Sequence, residues 1–454
     1  MTPGEEAMTR RWPVGVVGVV FGLACAGSAR AQAPAVRSSA AYEVWVVDQS
    51  DSPGREHGGT LYIFRGADLA GRTPASAKTA ERRDLGAETS TLCRERTGAV
   101  PVRPHMLLFN REHTHAALAF VASGHVVIFD AASRKPLECI RASASPTGRQ
   151  AHAAFPSNDG SYILVANQNG KRLERIDSNF RTGTFALNEA AMLDLAGCTT
   201  PSGAPCQAVH LRPDNAPICP VVSEAGDLAF VTLRGGGMFV VDPRATPMRI
   251  LAEYDMRTVK GNGCGGAEQA GRMFVNSGGR PGPMEHLHVY GFDVYGFALD
   301  AFRRAAGALP PNTPAPRLVF SAGGQHDSHG MVLTGAGRYL WVMDRHADVV
   351  EILGTTDNAH VRQVALNGAL TNNAAPDLAD AAPAGDRVFV ALRGPTPLSG
   401  DPHNARGSTP GLGVLEVLDG GRNARLSAVV RLTNVGTDGV ERADPHAVRV
   451  RRVE

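Results

Sequence analysis

The sequence predicts an all-β protein folded as a single seven-bladed β-propeller, and three observations predict it. A strand–turn–strand–turn–strand unit recurs along the chain. The units begin roughly 50 to 65 residues apart, the spacing of propeller blades with generous loops. The first unit lacks an inner strand, and an unpartnered strand stands at the far end to supply it.

The unit is plainest in Ala151–Asp177, where apolar runs are punctuated at Asp159-Gly160 and Asn169-Gly170. It recurs in Pro104–Asp130, Cys219–Asp242, Ser328–Leu353 and, with a long middle loop, Pro376–Asp419. Short apolar runs bounded by Gly, Asn, Asp and Pro are strand and hairpin chemistry. Arg272–Asp300 holds a second and a third strand after an irregular first one. Tyr42–Arg65 has no first strand; Asp444–Val450 looks like a first strand with no blade after it. Donated to the N-terminal unit, it completes seven four-stranded antiparallel blades and leaves no open edge. Helical periodicity is confined to Asn188–Leu195 and Asp300–Leu309.

The phrases DGSYILVANQNGKRLERID (159–177) and SGHVVIFDAASRKPLECI (123–140) resemble the repeat of YVTN-type and lactonase-like propellers. The resemblance runs over nearly all of residues 42–454 as a pattern. It implies the propeller architecture. It leaves the activity open, because such propellers include sugar-lactone hydrolases, surface-layer proteins and parts of amine-oxidising enzymes.

The first 31 residues read as an export signal: Arg10 and Arg11, an apolar run from Trp12 to Gly27, and an Ala29-Arg30-Ala31 cleavage site, with Ala31-Gln32-Ala33 as a second candidate. Residues 32–41 form a short linker and 42–454 the propeller. No later stretch is apolar over a membrane-spanning length. The expected product is soluble, monomeric, and periplasmic or secreted. The formal net charge of +2 gives no electrostatic footprint for nucleic acid. Six cysteines remain after Cys25 leaves with the signal, an even number suited to an oxidising compartment. Cys198 and Cys206 close a small loop. Cys219 and Cys264 fall near equivalent inner-strand positions, and Cys93 and Cys139 remain as flanks of the second unit.

The histidines share a register. His152 lies eight residues before the turn glycine Gly160, His329 eight before Gly337, and Asp377 eight before Gly385. His105 lies eight before His113, which stands where the glycine should be, and His446 repeats the Pro-His context of His105. Cys219 is within one residue of the register, and Cys264 is seven before Gly271. Inner strands line a propeller's channel, so equal register means equal height. His105, His152, His329, Asp377 and His446 are therefore expected to ring one mouth of the channel, the donor set for a transition metal such as Zn or Cu. Such a site is expected to weaken below about pH 6, where free imidazole protonates. The alternative is that each ring is satisfied by neighbouring backbone.

Three loops expected at the same mouth are long: Ser50–Gly59, Gly278–His288 and Gly394–Gly413. With the turn Asp344-Arg345-His346 they bring His57, Glu285, His286, His288, Arg345, His346 and His403 as candidate ligand-binding residues. There is no G-x-S-x-G elbow, H-E-x-x-H helix, C-x-x-C-H haem site or phosphate-cradling loop. The functional expectation is an exported propeller that binds a small molecule, a metal ion or another exported protein at this mouth. The alternatives are a lactonase-like hydrolase and a metal-dependent redox enzyme using the same residues.

Overall fold

Six of the seven blades begin at the channel with a strand whose start is kinked, and that kink positions the candidate site. The computed structural model describes residues 41–70, 76–281, 288–289, 291–399 and 405–453. The export signal and nearly all of the linker lie outside the described residues, as do Glu285, His286, His403 and the side chain of His288.

Seven four-stranded antiparallel sheets are present, as the repeats predict. Their innermost strands, from blade 1 to blade 7, are Pro445–Arg452, Pro104–Phe109, Ala151–Pro156, Pro217–Val222, Gly266–Gln269, Ser328–Thr334 and Pro376–Ala381. Pro445–Arg452 pairs with Tyr42–Asp48 over its whole length, so the C-terminal strand completes the N-terminal blade. Second strands such as Tyr42–Asp48 and His115–Phe120 are buried throughout. They are sandwiched between neighbouring blades, which explains their unbroken apolar runs. Outermost strands such as His360–Ala365 are largely exposed.

The first hairpin of each full unit needs a residue in the left-handed region. Gly160, Gly226, Gly271, Gly337 and Gly385 take it at φ of 68–83°, and His113 takes it at φ 55° in blade 2. The histidine does stand in the turn glycine's place.

Two helical expectations need correction. Asn188–Leu195 lies within the outer strand Thr184–Asp194, paired to Arg172–Asn179; burial of Phe185, Ala191 and Leu193 outweighs the local helix propensity of an Ala-Met-Leu stretch. Of Asp300–Leu309, only the start is helical, in Leu299–Arg303. The longest helix among the described residues, Leu85–Thr97, was not anticipated. The Asp84 carboxylate caps it by accepting from Ala87 N at 3.0 Å, and Gly98 ends it at φ 74°. Its buried Leu85, Thr89 and Cys93 lie four residues apart on one face.

The three expected disulfides are formed: Cys93–Cys139, Cys198–Cys206 and Cys219–Cys264. The first ties that helix to the outer strand of blade 2.

Candidate functional site at the channel mouth

The inner strand slips register against the second strand directly after its first residue in blades 1, 2, 3, 4, 6 and 7. The extra residue of such a β-bulge is turned out of the ladder, and bulges commonly re-aim a side chain. The residues at the bulges are His446, His105, His152, Ile218, His329 and Asp377, in blade order. Blade 4 thus presents Ile218, and Cys219 is one residue further along. The same six blades share one more bond: the residue after the second strand donates its N–H to the residue before the first. The pairs are Gln49–Asp444, Val121–Arg103, Gln168–Gln150, Arg234–Ala216, Arg345–Asp327 and Arg393–Ala375.

The bulged side chains meet across blades. The His105 and His446 rings stack with centroids 3.7 Å apart, His105 meets His152 edge-on at 4.6 Å, and His446 meets His329 edge-on at 5.1 Å. His329 Nδ1 is hydrogen-bonded to Asp377 Oδ1. His446 Nε2 lies 3.9 Å from Asp377 Oδ2. All five predicted ring residues are therefore brought together. His105, His329, Asp377 and His446 are buried; His152 is partly exposed, on the side where Arg234, Asn169 and Gln150 also reach solvent.

A second ring combines Arg345, already expected at this mouth, with two residues that the sequence reading did not single out, Gln49 and Arg393. Gln49, Arg345 and Arg393 all follow the last residue of a second strand. Counting from that position in VVDQ, VMDR and VALR would have found them. Arg393 is fully buried. It donates to Asp377 Oδ2 at 2.6 Å, to Asp444 Oδ1 at 2.6 Å and Oδ2 at 2.8 Å, and to the Ser399 carbonyl at 2.8 Å. Arg345 pairs with Asp327 and lies 3.8 Å from Asp377. Gln49 donates to Asp444 Oδ2 at 3.1 Å and accepts from His105 Nδ1 at 2.8 Å.

Burial alone would raise the Asp377 carboxyl, but His329, His446 and Arg393 reverse this and hold it well below the usual range. Burial pushes His105, His152 and His446 down, His152 to about 3. These imidazoles are neutral at pH 7.

The predicted loop residues do not all join this cluster. Arg345 does. His346 turns away and bonds Gln325 Oε1 at 2.6 Å. His57 is half-buried in the turn whose carbonyl accepts from Ser52 N at 3.1 Å. Beside that turn, between the loops of blades 7 and 1, a pocket of about 540 Å³ is lined by residues including Asp51, Arg55, Thr396, Asn434 and Arg442.

No family model matches the chain, and no curated protein matches it in sequence. Its fold is shared by solved structures. The periplasmic gluconolactonase of Pseudomonas aeruginosa superposes with a TM-score of 0.53 at 16% identity, over 91% of this chain and 100% of that one. A protein from Lactobacillus plantarum superposes with a TM-score of 0.52 at 11% identity, over 90% and 99%. The seven-bladed, lactonase-like architecture is thus shared at levels of identity that speak for fold alone.

Proposed function

We propose that the chain is an exported ring-ester hydrolase of lactonase-like type, with the channel mouth as its active site. The observation that carries this reading is the His329–Asp377 pair flanked by two guanidinium groups. Asp377, held ionised, accepts from His329 Nδ1. That fixes the tautomer and leaves Nε2 as a general base. Water deprotonated by Nε2 adds to the lactone carbonyl, and the negative charge on that oxygen is opposed by Arg345, while the buried Arg393 holds Asp377 in place. The ring C–O bond then breaks. Its alkoxide takes the proton back from His329, giving the open hydroxy acid.

The fold shared with a periplasmic gluconolactonase supports a sugar lactone as substrate class. The three disulfides support export, and no helix among the described residues is long and apolar enough to cross a membrane. Gluconolactone hydrolysis followed by acid release tests the proposal. His329→Ala is expected to lower kcat/KM by about 10²-fold or more. A wild-type protein without turnover, or a fully active His329→Ala, sinks it.

One observation favours a second reading. Asp377 and Arg393 are completely buried and mutually satisfied, as in a rigid wall for a ligand that is bound and not converted. Binding of gluconolactone without acid release distinguishes it.

A further inference from the structure

The hydrogen bonds around the histidines decide where their protons sit. Asp444 is an acceptor, so the Gln49 amide must direct its NH2 at Asp444 and its oxygen at His105 Nδ1. His105 Nδ1 therefore carries the proton, and its Nε2 is a bare lone pair. That lone pair faces His152 Nε2 at 3.3 Å. Neither tautomer of His152 gives both of its ring nitrogens a protein partner. With the proton on Nδ1, two lone pairs confront each other. With the proton on Nε2, the buried Nδ1 is left without a hydrogen-bond partner, as its surroundings show. The other ring histidines have settled places. His446 donates from Nδ1 to the His105 carbonyl at 3.1 Å and stacks on its ring, and His329 belongs to Asp377.

We propose that His105 Nε2 and His152 Nε2 bind one transition-metal cation, Cu²⁺ in preference to Zn²⁺, in a two-imidazole site. This inference is independent of the hydrolase reading. Two nitrogens on one ion, each bonded at about 2.0–2.1 Å, stand about 2.9 Å apart as neighbours in a square plane and about 3.4 Å apart in a tetrahedron, the range between tetragonal Cu²⁺ and tetrahedral Zn²⁺ geometries. The observed 3.3 Å lies in that range without rearrangement. The cation converts a conflict between lone pairs into two bonds, with His105 Nδ1–H still held by Gln49 Oε1. Imidazole donors follow the order that places Cu²⁺ above Zn²⁺. Gln49, held by Asp444, orients the first ligand, the kind of support that ligating histidines ordinarily have. His152 is the partly exposed member of the pair, the side from which an ion and its remaining ligands would enter.

His446 stacks on His105 at 23° between ring planes, so their in-plane lone pairs run side by side and do not converge. For this ion the five-residue donor set expected from register thus narrows to two ligands, with His446 as a stacking support. Cys219 and Cys264 bring sulfur within 4.8 Å of His152, but they are bonded to each other and offer no thiolate.

The test uses the oxidised full chain, stripped with a chelator, incubated with Cu²⁺ or Zn²⁺ and gel-filtered. Elemental analysis should find about one Cu²⁺ per wild-type chain, with electron paramagnetic resonance showing nitrogen coupling. His152→Ala should lose the ion. His105→Asn should lose it too, while keeping a side chain able to bond Gln49. His360→Ala, on the outer strand of blade 6, should retain it. The proposal is overturned if wild type retains neither metal, or if His152→Ala binds copper as wild type does with an unchanged melting curve. Copper retained by a His329→Ala variant that has lost lactone turnover separates this site from the hydrolytic pair.

Discussion

Blades 7 and 1 are tied at the channel mouth by charge, blades 4 and 5 by a covalent bond. On the first side Arg393 of blade 7 spans Asp377 of its own blade and Asp444 of the next. On the second, Cys219 of blade 4 is bonded to Cys264 leading into blade 5, with Cα atoms 5.0 Å apart, and Thr232 Oγ1 donates to the Gly263 carbonyl at 2.6 Å. The backbones there approach so closely that a Cβ on Gly263 would stand 1.8 Å from the Asn276 carbonyl oxygen. Only the charged tie leaves titratable groups and polar hydrogens facing the channel, and that is the side where the candidate chemistry collects.

The comparison breaks most severely if the charged side loses its strand. A chain ending at Ala443 should show no cooperative melt, because blade 1 loses its innermost strand and Arg393 loses Asp444. Unchanged melting would refute closure by this segment.

Arg393→Ala comes next. It strands two carboxylates in the interior, and chemical denaturation should register a loss of about 3–5 kcal/mol.

Asp48 sharpens the same side through pH. Burial raises its pKa to about 7 from a reference of 3.8, while Oδ2 finds no partner. A folded pKa above the unfolded one means stability fully present below about pH 4 and lost as pH rises through 7, by on the order of 4 kcal/mol at most. Asp48→Asn should flatten the dependence of stability on pH across that window. An unchanged slope would contradict the assignment.

On the covalent side, Cys219→Ala with Cys264→Ala closes a sequence separation of 45 no longer, and should cost about 2–4 kcal/mol, uniform with pH. The smallest effect belongs to Arg234→Ala. Its pair with Asp214 is half-exposed, and less than about 1 kcal/mol should be lost.

The repeat pattern made the blades legible because each second strand is buried on both faces and each first hairpin needs a left-handed residue. The ring of His446, His105, His152, His329 and Asp377 was legible for the same reason: a fixed count back from that turn lands on the bulge. Arg393 was not, since an arginine after an apolar run reads as a solvated strand end until the opposite acid, Asp444 from the far end of the chain, is in place; Arg345 was expected at the mouth, but its pairing with Asp327 was not. The helix Leu85–Thr97 hid because its apolar face holds only Leu85, Thr89 and Cys93, too sparse for a periodic signal. Which histidines share a lone-pair conflict depends on Gln49 and Asp444 together, a relation across 395 residues that no local spacing carries.

The closing strand also imposes a schedule. Asp48 accepts from the Asp444 amide, a partner made 396 residues later, so nearly the whole chain must be synthesised before the first blade has its inner wall. Until then the edge of Tyr42–Asp48 is open to pairing with any other strand. The mouth therefore cannot seal before the C-terminal strand has been made. A nonsense codon in the last dozen positions would harm this protein as much as one placed far earlier.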